Sequence, residues 1–321
     1  MKETFLAQSR QEGRKKRIIV KVCSFLVIVL VILIILPWYA LSLLLNQRFD
    51  QQQYDSSDLG IESERITLLT DDELRLAAWR TNAGDDDPHG TVIIISGIQN
   101  PSVTAFFGYA EMLSAHGWDA LLIEKRARSL SEGDSIGLAI TEWMDVQAGV
   151  DFLEMDERAG ELPIIAMGTS AGAAAVITAG AEVPRLDGVI AISAYSSFID
   201  VYIDNAAVIG IPRFVGEATR PFMWLHLGLR FGFDEIGRTP MNAITELGER
   251  PILLMHSTDD WEVPFSHFER LEAAAKDADV QVTTFVREGD WHFVCYNQYI
   301  YIPAEDVEFS HAIFEFLGQF E

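Results

Sequence analysis

From Val22 to Leu45 the chain reads VCSFLVIVLVILIILPWYALSLLL, 24 residues without a charged side chain. A helix rises about 1.5 Å per residue, so this run is long enough to cross the roughly 30 Å hydrocarbon layer of a bilayer. Inside lipid the backbone has no water to pair with, and a single segment satisfies its own groups only as a helix. The apolar core of a cleaved signal peptide is about 7–15 residues long and leads to a small-residue cleavage site, and this run fits neither requirement. Arg10, Arg14, Lys15, Lys16, Arg17 and Lys21 precede the run, whereas Arg48 follows it and acids then take over. The positive-inside bias predicts a single-pass cell-membrane protein with residues 1–21 in the cytoplasm and residues 46–321 on the far side. The bilayer is thus an expected partner, through residues 22–45.

The same asymmetry divides the formal net charge of −24. Residues 1–48 hold eight Lys/Arg against Glu3 and Glu12, a net of +6, and the rest holds 16 basic and 46 acidic residues, a net of −30. A domain so acidic is not a nucleic-acid binder, because that affinity rests on cationic neutralisation of phosphates. Hydrophobic residues make up 49% of the chain, enough to build a core and too many for a disordered protein. Cys23 and Cys295 are the only cysteines, which excludes a disulfide scaffold. Residues 46–60, NQRFDQQQYDSSDLG, are polar and aperiodic and read as a linker to a domain over 61–321.

Within that domain, short apolar runs alternate with helical patterns. ERITLLT and LRLAAWRT read as two strands joined by a turn at Asp71-Asp72. TVIIIS, DALLIE, PIIAM, GVIAIS, ILLM and VQVTTFV read as further strands, several apolar throughout as strands covered on both faces are. Between them lie the helical stretches TAFFGYAEMLSAHG, EWMDVQAGVDFLE and AGAAAVITAGA, then one around Phe268–Ala275 and a terminal one from Phe309 to Phe320. Such alternation predicts an α/β fold, a mostly parallel central sheet with helices on both faces and an antiparallel pair leading in. Residues 196–246 interrupt the rhythm with bulky apolar residues and no clear strand, and read as a helical cap insertion.

The strongest chemical signal is Gly168-Thr169-Ser170-Ala171-Gly172, set between the strand PIIAM and a small-residue helix. A serine on so sharp a strand–turn–helix bend needs tiny neighbours at Gly168 and Gly172, and the bend lifts its hydroxyl above the sheet. Serine is a weak nucleophile until a base takes its proton. His292 follows the last strand, on the carboxyl edge of the sheet where open α/β sheets build sites. The segment His256-Ser257-Thr258-Asp259-Asp260-Trp261-Glu262-Val263-Pro264 follows ILLM and offers an orienting acid in Asp260, with Asp259 its rival and Asp290, two residues before His292, a third. Ser170, Asp260 and His292 then stand in the chain order nucleophile, acid, base.

With these motifs in this order, residues 60–321 resemble an α/β-hydrolase superfamily serine hydrolase. HSTDDWEVP is similar to the family's His-Gly-x-x-Asp-x-x-Val-Pro signature and aligns Asp260 with the acid. Ser96-Gly97 takes the place of the family's His-Gly, which implies backbone N–H donors for an oxyanion at Ile98 and Ala171. IEKRARSLSEG resembles the Arg-Gly-His-Gly-x-Ser loop, from which Ala127 and Arg128 depart. The resemblance implies a carboxylic ester hydrolase acting through an acyl-enzyme, with no cofactor and no metal. Its partner is a small acyl substrate, and the apolar residues of 196–246 point towards a hydrophobic one. Thioesterase, acyltransferase and peptidase chemistry would use the same triad, and a non-catalytic hydrolase-like binding module is the reading from outside enzymology.

Overall fold

In the computed structural model, residues 2–46, 52–84, 87–98 and 101–321 are described, with side chains from residue 13 onward. Helix α1 (Lys2–Leu45) runs through the whole apolar segment. Of the expected linker 46–60, residues 47–51 lie outside the described residues. Residues 52–60 lie against the domain: the Tyr54 N–H donates to Thr104 Oγ1, and Ser56 is buried.

Eight strands follow: β1 (Ser63–Leu69), β2 (Arg75–Thr81), β3 (Gly90–Ile95), β4 (Trp118–Ile123), β5 (Ile164–Thr169), β6 (Gly188–Ile192), β7 (Ile252–Ser257) and β8 (Val282–Arg287). They form one sheet in the order β1-β2-β4-β3-β5-β6-β7-β8. β1 pairs antiparallel with β2 and β2 antiparallel with β4, and every other pairing is parallel. The expected mixed sheet with an antiparallel edge is present. The helices packed around it are α2 (Phe107–Ser114), α3 (Trp143–Glu154), α4 (Ala171–Glu182), α8 (Ser266–Asp277) and α9 (Val307–Leu317). Residues 196–246 fold into α5 (Phe198–Val208), α6 (Arg213–Phe231) and the short α7 (Pro240–Ala243), as an insertion without strand character should.

The unbroken β-branched run of β3 makes sense from both sides of the sheet. Ile93 and Ile95 enter one core layer with Leu121 and Ile123, while Val92 and Ile94 enter the other with Trp118 and Leu122. A strand covered on both faces loses the polar alternation of a half-exposed one. The periodicity of EWMDVQAGVDFLE puts Trp143, Val146, Val150 and Leu153 on one face, and α3 buries the last three while Trp143 is half-buried. α4 is small throughout because it is buried throughout, from Ala171 to Gly180.

The chain runs from β3 through α2 to β4 on one side, and from β4 it crosses through α3 to β5 on the other side of β3. The sheet therefore reverses its winding between β3 and β5, and open α/β sheets place ligands at the carboxyl ends of strands flanking such a switch.

Candidate active site

Ser170 sits directly after β5, at that switch. It is not glycine, yet its φ is 57° and its ψ −119°. A side chain held in this sparsely populated region signals stored backbone strain. Three close contacts fix the turn. The Ser170 N–H donates to Ile192 O at 2.7 Å. A Cβ at Gly168 would stand 2.3 Å from the Gly172 carbonyl, and one at Gly172 would stand 2.4 Å from Ile95 O and 2.7 Å from Ser96 O. The two glycines let strand, turn and helix close up, and the second lets the end of β3 lie against the first turn of α4. Ala171 opens α4, where helix geometry leaves its N–H without an intrahelical acceptor.

Asp260 and His292 are brought together from the loops after β7 and β8. His292 Nδ1 lies 2.8 Å from Asp260 Oδ2, and Asp260 Oδ1 accepts the N–H groups of Glu262 and Val263 at 2.9 and 3.0 Å. Asp260 is buried, whereas Asp259 and Asp290 are exposed. Of the two candidate acids in HSTDDWEVP, Asp260 is thus the one in contact with His292. Burial pushes the Asp260 carboxyl upward, but the His292 hydrogen bond and charge outweigh it, and the net shift is down. Burial likewise pulls His292 down, and the same bond to Asp260 more than compensates, leaving it above the ordinary histidine value. The other ring nitrogen, Nε2, lies 3.8 Å from Glu262 Oε2. Among the described residues the Ser170 hydroxyl makes no hydrogen bond, so its link to His292 is not part of this geometry. Catalytic contacts in unliganded sites are often open in this way.

His256 is fixed elsewhere: its Nε2 lies 2.8 Å from Val263 O and its ring packs on Phe265 and Phe268. Cys295 is buried, and burial pushes its thiol up to about 12, far from a reactive thiolate. Among the described residues no group of His, Cys, Asp and Glu is arranged to hold a metal ion. An open cleft of about 570 Å³ between Arg126, Asp134, Thr141, Arg230 and Glu235 includes none of Ser170, Asp260 and His292.

Sequence reasoning missed Lys125. It is buried beneath the loop after β3, and its Nζ donates to Ser96 O at 3.0 Å and Gly97 O at 2.5 Å. A trans peptide carries its C=O and N–H on opposite sides. With the Gly97 carbonyl held towards Lys125, the Ile98 N–H points away from it. Burial lowers the Lys125 ammonium to about 8, against the opposing charge of Glu142. A signal was available: one of only two lysines in residues 49–321, which carry a net of −30, directly follows a buried strand.

The loop carrying Lys125 is pinned as a unit. Arg126 Nε donates to Asp145 Oδ1 at 2.7 Å and its Nη1 to Asp72 Oδ2 at 2.7 Å. Ala127 and Ser129 adopt φ of 58° and 40°. Alanine and serine thus take left-handed conformations at positions where the resembled loop carries glycine.

No protein-family model and no curated protein matches the sequence. Solved structures do. The esterase Pf2001 of Pyrococcus furiosus matches over 86% of this chain and 96% of its own, with 19% identity and a TM-score of 0.64. The acylaminoacyl peptidase of Pyrococcus horikoshii matches over 80% of this chain and 41% of its own, with 16% identity and a TM-score of 0.58. DcsB, solved with its substrate analogue, matches over 81% of this chain and all of its own, with 15% identity and a TM-score of 0.60. By strand order, by the turn at Ser170 and by these likenesses, the chain has the α/β-hydrolase fold, preceded by one long apolar helix.

Proposed function

We propose that this protein is a membrane-anchored serine hydrolase that cleaves a carboxylic ester or a related acyl bond. One observation carries the reading: a strained serine at the switch point shares the carboxyl edge of the sheet with a buried, hydrogen-bonded Asp260–His292 pair. Ser170 attacks the acyl carbonyl while His292 takes its proton, and Asp260 holds the imidazole and stabilises its charged form. The N–H groups of Ile98 and Ala171 receive the negative charge that develops on the carbonyl oxygen, aided by the N-terminus of α4. His292 returns the proton to the leaving group, and water then repeats the sequence on the acyl-enzyme. Likeness to an acylaminoacyl peptidase favours an acyl-peptide bond as the second reading. Thioester cleavage and acyl transfer would run through the same groups.

In this reading α1 is the anchor. Its stretch Gly13–Leu45 has a mean hydropathy of 3.3 over its most apolar window. The basic residues before it hold the N-terminus in the cytoplasm, and the hydrolase domain stands outside. A fluorophosphonate probe tests the chemistry: it labels the wild type and not Ser170→Ala. Absence of labelling in the wild type leaves only the binding-module reading. A panel of ester, thioester and acyl-peptide substrates then ranks the bond cleaved.

A further inference from the structure

The solvent side of α6 is built the wrong way round for a helix in water. Phe214, Ala218, Pro221, Leu225 and Leu229 recur at helical spacing, and all are exposed, with Trp224 beside them. A surface helix normally turns charge outward. Here the exposed stripe carries none, although residues 49–321 have a net charge of −30. The charged residues Arg213, Glu217, Arg220 and Arg230 lie off this stripe, three of the four cationic. A contiguous apolar face on the solvent side of a helix is the pattern of a helix lying in a membrane interface.

Its position relative to α1 identifies the occupant. About twenty helical residues cross the hydrocarbon layer, and twenty counted from Val22 end at Leu41. In the turn just before that point, Trp38 stacks on His226 of α6, with ring centroids 3.9 Å apart and an interplanar angle of 19°. Pro37, Leu41 and Leu45 are buried against the domain, and the Ile136 N–H donates to Leu45 O at 3.1 Å. The level at which α1 leaves the bilayer is therefore the level of His226, and the apolar residues exposed nearest His226 are Trp224, Leu225 and Leu229.

The same contact leads inward. Leu41 and Leu45 belong to one apolar cluster with Met223 and Leu227 of α6, with Tyr195 and with Ala171, the residue next to Ser170. The end of the anchor is thus packed into the apolar surroundings of the proposed nucleophile.

We propose that the outer stripe of α6 is embedded in the outer leaflet, and that the last two turns of α1 complete the apolar wall of the acyl site. The substrate is then a long-chain acyl ester drawn from the bilayer in preference to a freely soluble one. This proposal rests on the membrane-anchored hydrolase reading above.

The test uses the full chain in phosphatidylcholine vesicles, comparing the wild type, Leu225→Glu/Leu229→Glu and Trp224→Phe. All three altered positions are exposed, so the fold should persist, and fluorophosphonate labelling together with turnover of a soluble butyrate ester reports that it has. Hydrolysis of a fluorogenic palmitoyl ester held in the vesicles is expected to exceed butyrate turnover in the wild type, and to fall about ten-fold or more in the double variant. Lipids brominated on their acyl chains should quench the wild type more than Trp224→Phe. Intact labelling with equal palmitoyl rates in both proteins, or with no quenching assignable to Trp224, overturns this proposal alone. A wild type that the probe does not label overturns the hydrolase reading and this proposal with it. Release of the wild type from vesicles by alkaline carbonate does the same for the anchor.

Discussion

Lys125 and Lys276 are the only lysines after residue 21, and the fold treats them in opposite ways. Lys276 lies exposed on α8, 2.6 Å from Glu272, where an ion pair contributes little. Lys125 is buried and holds two carbonyls of the loop that presents Ile98. Lys125→Met keeps the aliphatic stem and removes the donors. We expect kcat to fall about ten-fold or more with KM nearly unchanged, because an oxyanion donor acts in the transition state. Equal loss in both parameters would point to general disorder of the loop instead. His292 yields a pH prediction. Its raised pKa means that the neutral base is lost on acidification already above the ordinary histidine value of about 6.5, so kcat/KM should have an acid limb there. In Asp260→Asn, kcat should drop by about 10²–10⁴ and the limb should move to lower pH. The sign for stability is the reverse. A histidine with a raised folded pKa contributes stability that is complete below its unfolded value and disappears as pH rises through the folded one.

Elements are held in place here by charges as well as by apolar faces. The loop after β4 hangs on Arg126, whose partner Asp145 is fully buried in α3. Burial pushes the Asp145 carboxyl up to about 6 even beside Arg126. Removing the arginine strands that carboxylate, so Arg126→Met should cost about 3–5 kcal/mol in chemical denaturation. Arg126→Met/Asp145→Leu should recover most of it, since an apolar pair replaces a buried ion pair at little net cost. Much of this scale was legible beforehand. Short unbroken apolar runs marked the inner strands, and Gly168, Ser170 and Gly172 marked the elbow, because one bend imposes steric demands that only certain residues meet. The Arg126–Asp145–Asp72 tie was not legible, since its members are 19 and 54 residues apart and charge alone does not reveal a partner.

At the scale of the molecule, α1 and the domain are less separate than a linker over 46–60 suggests. The last turns of α1 fill a place in the domain, through Leu41, Leu45 and the stack of Trp38 on His226. Expressing the chain from residue 52 onward should therefore uncover Tyr195, Met223 and Leu227. We expect such a protein to aggregate or to need detergent, as size-exclusion chromatography would report, whereas a merely tethered domain would stay monomeric.

The sequence by itself determined whatever depends on neighbours along the chain. It marked a helix able to span a bilayer, the period of strands and helices, the bend around Ser170, and the order of serine, acid and histidine. Tertiary structure decided which distant groups meet. It buried Asp260 against His292 and left Asp259 exposed, and set Lys125 under the Gly97 carbonyl. It also turned the uncharged stripe of α6 outward beside α1. The physical reason is that periodicity and steric fit are local properties of a chain. Burial and pairing belong to surfaces that exist only after β5, β7 and β8 have been laid side by side.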